Sequence, residues 1–312
     1  MPDSQALYPL KFTPILKNKI WGGKRISNIL NKAAGNQCGE SWEISAVPGA
    51  VSVVSNGDLV GQSFDELIAR FGEQMLGGHY ESFPLLIKFI DANEDLSIQV
   101  HPNDEQSGGQ GKSEMWYIMQ AEAGATLLCG FNQPTHLTKV RDSIDEGTFE
   151  KLLNRIPVKA GDVFYIPPGT VHTIGKGILL AEIQQSSDTT FRIYDFDRVD
   201  DQGNKRELHI DKSLSVMKLS QDNGKVETDS VELVKSPFFV TNKLTLEEKK
   251  TVVAKSGFKI VMNVSGRAKI NFDSDQWSLN FGETCLLPAG LSMDIEPEGE
   301  VVLLETYVGN DD

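Results

Sequence analysis

A mainly β protein, built of two jelly-roll barrels with a few added helices, is what the sequence predicts, and three observations predict it. From about Leu85 onward the chain is written in short β-rich segments punctuated by Gly and Pro, the text of a closed antiparallel barrel. Helical periodicity is confined to a few stretches. Most tellingly, one segment repeats: Gly161-Asp162-Val163-Phe164-Tyr165-Ile166-Pro167-Pro168-Gly169 returns as Gly282-Glu283-Thr284-Cys285-Leu286-Leu287-Pro288-Ala289-Gly290. The Gly, acid and Pro-x-Gly offsets are the same, and such an echo predicts two units of one kind.

In chain order, residues 1–84 mix β-like runs such as Val51-Ser52-Val53-Val54 with one helix. That helix is expected from Ser63 to Leu76, where Phe64, Leu67, Ile68, Phe71 and Met75 recur at helical spacing. Ser63 with Glu66 forms a capping-box pattern, and Gly77-Gly78 supplies the stop. The first barrel is expected over 85–204. Its clearest strands are Leu85 to Ile90, Leu96 to Val100, Met115 to Met119 and Val163 to Ile166. Inside it, residues 134–155 read as a helical insertion with Val140, Ile144, Phe149, Leu152 and Leu153 on its apolar side. Residues 205–312 are expected to hold a helical connector, with Leu208, Ile210, Leu214, Val216 and Met217 inward, and then the second barrel. Tyr117-Ile118-Met119-Gln120 is loosely matched there by Ile260-Val261-Met262-Asn263.

The chain has 312 residues, 39% of them hydrophobic and 24% charged, which describes a globular protein with a sizeable core. Its net charge of −14 argues against nucleic acid or anionic membrane as partner, since phosphate backbones need a basic footprint. No apolar run approaches the ~20 residues of a membrane span, and Met1-Pro2-Asp3-Ser4-Gln5 lacks the order of a signal peptide; a cytoplasmic location is expected. Cys38, Cys129 and Cys285 are odd in number and form no CxxC, so they are read as reduced core residues. Trp21, Trp42 and Trp116 are read as core or pocket lining. His79 and His136 are read as surface residues, His209 as a barrel contact, and the tail Gly309 to Asp312 as a solvated end.

Chemistry is concentrated in four residues. Gln99 and His101 stand two apart, so on a strand they share a face, and inside a barrel that face is the lumen. Glu114 follows the Gly-rich loop Ser107-Gly108-Gly109-Gln110-Gly111, and His172 follows Gly169 by three residues. Two imidazoles, a carboxylate and an amide oxygen suit Zn²⁺ or another divalent first-row ion. The spacing Gly161-x5-Pro167-x-Gly169-x2-His172 resembles the second cupin signature, and Gln99-x-His101 with Glu114 resembles the first. In the second barrel Met293 stands where His172 stands in the first. That barrel is expected to hold no metal, giving one ion per chain.

Five longer motifs carry a closer resemblance. Gly39-Glu40-Ser41-Trp42-Glu43-Ile44-Ser45, Leu96-Ser97-Ile98-Gln99-Val100-His101-Pro102, Gly111-Lys112-Ser113-Glu114-Met115-Trp116-Tyr117, the run from Glu182 to Arg192, and Arg206-Glu207-Leu208-His209 resemble those of the type I mannose-6-phosphate isomerases in their short bacterial form. The resemblance runs from about residue 7 to the C-terminus. It implies a cupin fold and the interconversion of mannose 6-phosphate and fructose 6-phosphate. It further implies zinc on Gln99, His101, Glu114 and His172, a catalytic Arg192, and Lys88, Ser97, Lys112 and Arg198 facing the sugar, Ser97 and Arg198 near its phosphate. The loop between His101 and Glu114 is shorter and richer in Gly than is usual in that family.

Aldose–ketose isomerisation needs a base to move a proton between C1 and C2. Glu182 is the first candidate, because a desolvated Glu is driven toward neutrality; the alternatives are that it orients His172 or Arg192, with Lys112 or a metal-bound water as base. Two other functions share the barrel: an Fe²⁺ oxygenase, and a sugar-phosphate sensor without turnover. Lys88, Lys112, Arg192 and Arg198 favour an anionic substrate over O₂.

Overall fold

The computed structural model describes residues 6–199 and 202–309, so Asn310 to Asp312 of the acidic tail and Met1 to Gln5 lie outside the described residues. The chain divides into two compact units, one made of Leu16–Ser41 and Phe89–Glu227, the other of Met1–Ile15, Trp42–Lys88 and Thr228–Asp312. The division falls inside the strands Cys38–Ile44 and Leu85–Ala92.

The unit around residues 89–227 is a two-sheet jelly roll. Its larger sheet runs Lys225–Val226, Val163–Ile166, Glu114–Ala121, Ile178–Gln185, Leu85–Ala92, Cys38–Ile44, Ile15–Gly23. The smaller runs Leu153–Pro157, Thr126–Phe131, His172–Thr173, Ile98–Val100, Phe191–Tyr194. One core joins them: Trp116, Ile118, Phe164, Ile166, Ile178 and Leu180 from the first sheet meet Leu127 and Cys129 from the second, with Ile174 just past the strand His172–Thr173. Burying each such side chain contributes about 1.5–3 kcal/mol.

The outer face of the smaller sheet is also covered, and this decides the site. Ile98 and Val100 pack outward with Val140 of the helix Leu137–Asp145, Phe149 of the 3₁₀ turn Phe149–Leu152, and Val216 of the helix Ile210–Val216. Alternation then turns Gln99 inward. Leu153, which periodicity alone puts on a helix, instead opens the strand Leu153–Pro157 and stands opposite Phe131.

The other unit repeats the plan. A five-stranded sheet, Glu232–Lys235, Val240–Leu246, Val301–Tyr307, Lys259–Ser265, Thr284–Leu287, encloses its core with a four-stranded one, Lys250–Val253, Ser292–Pro297, Arg267–Phe272, Asp275–Asn280. Met293 lies in that core among Val252, Ile270 and Ile295. The echoed glycines turn alike: Gly161 and Gly282 have φ of 89° and 80°, Gly169 and Gly290 of 87° and 75°, values open to Gly at no steric cost. The helix Phe64–Leu76 has its Ser63/Glu66 capping box, is interrupted at Gly72, and ends on Gly77 in the left-handed region.

All three cysteines are free and buried. Burial raises their thiols out of the thiolate range, Cys285 to about 12. No helix among the described residues is long and apolar enough to cross a membrane.

Candidate active site and metal centre

Register assembles the site. Arg192 stands opposite Gln99, Gln99 opposite His172, and His172 opposite Cys129, on four neighbouring strands of the smaller sheet. Residues paired this way share a face. From the larger sheet Glu114, opposite Ile166 and Gln184, meets this row. One ligand atom each from His101, Glu114 and His172 lies within 4.8 Å of the others.

The electrostatics of this cluster suit a cation. His101 Nδ1 and His172 Nδ1 each sit 2.9 Å from a main-chain carbonyl, of Thr189 and Thr170 respectively. A carbonyl only accepts, so each Nδ1 carries the proton and each Nε2 a lone pair. Those Nε2 atoms face the Glu114 carboxylate at 3.5 Å and 3.2 Å, acceptor against acceptor. Burial lowers the His172 pKa from 6.5 to about 4, so its imidazole stays neutral. Oriented neutral imidazoles with a carboxylate fit a divalent first-row metal. Gln99 completes the set: its amide nitrogen lies 3.3 Å from His172 Nε2, and its oxygen accepts from Ser97 Oγ at 3.4 Å. A half-turn of the amide, which exchanges these atoms in place, presents the oxygen instead.

Lys112 reaches the same point, its Nζ 3.0 Å from Glu114 Oε2 and 3.4 Å from His101 Nε2. The Gly-rich loop before it is well tied. Asn103 and Gln106 cap a short helix Asp104–Ser107, Gly108 ends it at φ 66°, and Ser187 Oγ donates to the Gln110 carbonyl.

Glu182 lies one row further in. It stands opposite Trp116, two residues beyond the Glu114–Gln184 pair, and its Oε1 accepts from Trp116 Nε1 at 2.8 Å. The indole in turn packs edge-on to the His172 ring, centroids 5.3 Å apart.

Beside the ligand row, Arg192 NH1 donates to the Glu207 carbonyl at 2.8 Å. Burial, then the charges of Arg206 and Arg198, lower its pKa. Arg198 and Arg206 converge on Asp195, with Arg198 NH2 and Arg206 Nε each 2.6 Å from its carboxylate. Burial opposes ionisation of Asp195, but hydrogen bonds from both arginines hold its carboxyl below the usual range. Asp195 lies in none of the motifs, and the motif that opens at Arg206 does not announce this partner, because the pairing depends on how the chain returns after Tyr194. Lys88 belongs to the other unit, buried with its Nζ 6.0 Å from the Trp42 ring centroid. His79 is exposed and His136 caps the helix Leu137–Asp145.

A two-sheet jelly roll with a buried His–Glu–His cluster defines a metal-binding cupin. Residues 9–123 match the phosphomannose isomerase type I catalytic domain, and residues 229–307 the mannose-6-phosphate isomerase cupin domain. Mannose-6-phosphate isomerase of Streptococcus mutans is 39% identical over 90% of this chain and 92% of its own length. Another, from Bacillus subtilis, is 37% identical over 91% and 94%. The crystal structure of a Bacillus subtilis mannose 6-phosphate isomerase superposes with a TM-score of 0.88 at 31% identity, covering 97% of this chain and 100% of that one. The chain belongs to the type I mannose-6-phosphate isomerase family.

Proposed function

We propose that the protein interconverts mannose 6-phosphate and fructose 6-phosphate through a cis-enediol, with one zinc ion held by Gln99, His101, Glu114 and His172. The observation that carries this reading is the buried set of acceptors, His101 Nε2, His172 Nε2 and the Glu114 carboxylate, beside Lys112 and Arg192. A metal held there would supply Lewis acidity toward the sugar's carbonyl. The metal-binding role falls to the barrel expected at 85–204, and the one at 205–312 is the metal-free partner.

The chain's own residues have separable tasks. Arg192 stabilises charge developing on the sugar, as a fixed cation in a dry site does. Lys112 moves the carbon-bound proton, because its Nζ is at the ligand row; Glu182, engaged by the Trp116 indole one row inward, positions His172 through that ring. Arg198 and Ser97 take the phosphate, and Lys88 assists substrate binding. The basic residues disfavour the oxygenase alternative, and turnover separates an enzyme from a sensor. Three buried free cysteines accord with a reducing cytoplasm.

Incubation of the purified protein with mannose 6-phosphate and Zn²⁺, Mn²⁺ or Co²⁺ should yield fructose 6-phosphate, with solvent deuterium entering at C1 or C2. No product with any of the three metals overturns the assignment.

A further inference from the structure

Phe191–Tyr194 is the last strand of its sheet, and the outward main-chain groups of Arg192 need partners there. One residue provides both. The His209 main-chain N–H donates to the Arg192 carbonyl at 2.7 Å, and the Arg192 N–H donates to His209 Nδ1 at 3.2 Å. The imidazole thus completes what a further strand would have supplied. Two residues earlier, the Glu207 carbonyl takes the Arg192 guanidinium at 2.8 Å. Arg192 is gripped at its N–H, its carbonyl and its side-chain tip by one three-residue segment.

That segment is itself anchored. His209 is the N-cap residue of the helix Ile210–Val216, and its carbonyl accepts from both the N–H and the Oγ of Ser213 at 2.8 Å. Phe191 flanks the imidazole with ring centroids 6.2 Å apart. Val216, on the same helix, packs with Ile98 and Val100, the neighbours of Gln99. The connector helix is therefore tied at one end to the strand of the metal ligand and at the other to Arg192.

We propose that His209 is a positioning residue for Arg192, its Nδ1 lone pair fixing the main chain from which the guanidinium projects beside the ligand row. The inference rests on the reading that Arg192 acts on the sugar. A guanidinium stabilising developing charge is sensitive to displacements well under 1 Å, whereas a ring that merely fills space is indifferent to which atom lies at the Nδ1 position.

Two substitutions distinguish these roles in the zinc-loaded full chain. His209→Phe keeps an aromatic ring beside Phe191 but offers no acceptor; His209→Asn shrinks the side chain yet sets an oxygen close to the former Nδ1. The expected result is a kcat loss of ~10-fold or more for Phe with KM and zinc content little changed, and a loss within ~3-fold for Asn. Amide hydrogen exchange of the peptide around Arg192 should accelerate in Phe and stay near wild type in Asn. In an Arg192→Ala background, His209→Phe should cost no further kcat. Unchanged exchange in the Phe variant, or equal impairment of both variants, overturns the proposal. Should the wild-type protein fail to turn over mannose 6-phosphate, the functional reading falls, while the exchange comparison still decides whether the imidazole holds Arg192.

Discussion

Trp116 donates its indole N–H to Glu182 at 2.8 Å inside the first barrel, one row further in than Glu114. A carboxylate so engaged serves geometry better than proton transfer. Glu182→Gln keeps an acceptor for the indole, so turnover should stay within ~10-fold of wild type, whereas Lys112→Ala should lose 10² or more. Trp116→Phe should destabilise the fold by about 1.5–3 kcal/mol through the lost charge-assisted bond. A hundredfold loss in Glu182→Gln, with no deuterium entering the sugar, would return the role of base to Glu182.

Elemental analysis should find one divalent ion per chain, since Met293 lies in an apolar core where the first barrel has His172. His172→Ala should lose most of the metal and the activity together. Two ions per chain, or a fully loaded His172→Ala variant, would place the metal elsewhere.

Arg192→Ala should keep its zinc and lose turnover by 10² or more, because a guanidinium acts on substrate charge and cannot ligate a cation. Arg192→Lys should recover only part, lacking the fork that reaches both substrate and the Glu207 carbonyl. Zinc lost from the Ala variant would make Arg192 structural.

Acid should destabilise the metal-free protein through His172. Its folded pKa is about 4 against 6.5 for the free side chain, so between those values the unfolded chain takes up a proton that the folded chain refuses. Stability therefore falls as pH drops from 6.5 toward 4, and rises with pH across that window. Urea unfolding after chelation should show a shallower pH dependence for His172→Ala than for wild type. Identical slopes would mean that the folded imidazole is already charged.

What could be read from the sequence depended on whether each signal was local. The closeness of Gln99 and His101 followed from two-residue spacing in extended chain, although the strand ends at Val100 and His101 stands just past it, and the Ser63/Glu66 box and Gly77 announced a helix on their own. Leu153 misled, since a short apolar run fits a helix or a strand equally well until its pairing with Thr126–Phe131 is known. The direction of Glu182 was hidden for a related reason: Ile178–Gln185 is buried on both faces, so composition does not say which face holds the core. Asp195, Arg206 and His209 act through contacts made by a returning chain; the motif Arg206 to His209 was visible, but nothing along the sequence names Asp195 and Arg192 as its partners.

The ligand row has a consequence for how such a chain can diverge. Because Ile98, Gln99 and Val100 alternate between the helical cover and the lumen, one residue inserted or deleted there would send Gln99 outward and an aliphatic side chain into the lumen. Length is forbidden to change in that strand. At Gly108 and Gly109, in the loop between His101 and Glu114, the surroundings are open: an added Cβ would meet nothing within 4 Å, although φ of 66° and 91° keeps those two positions themselves to glycine. Added length can collect there without disturbing the centre.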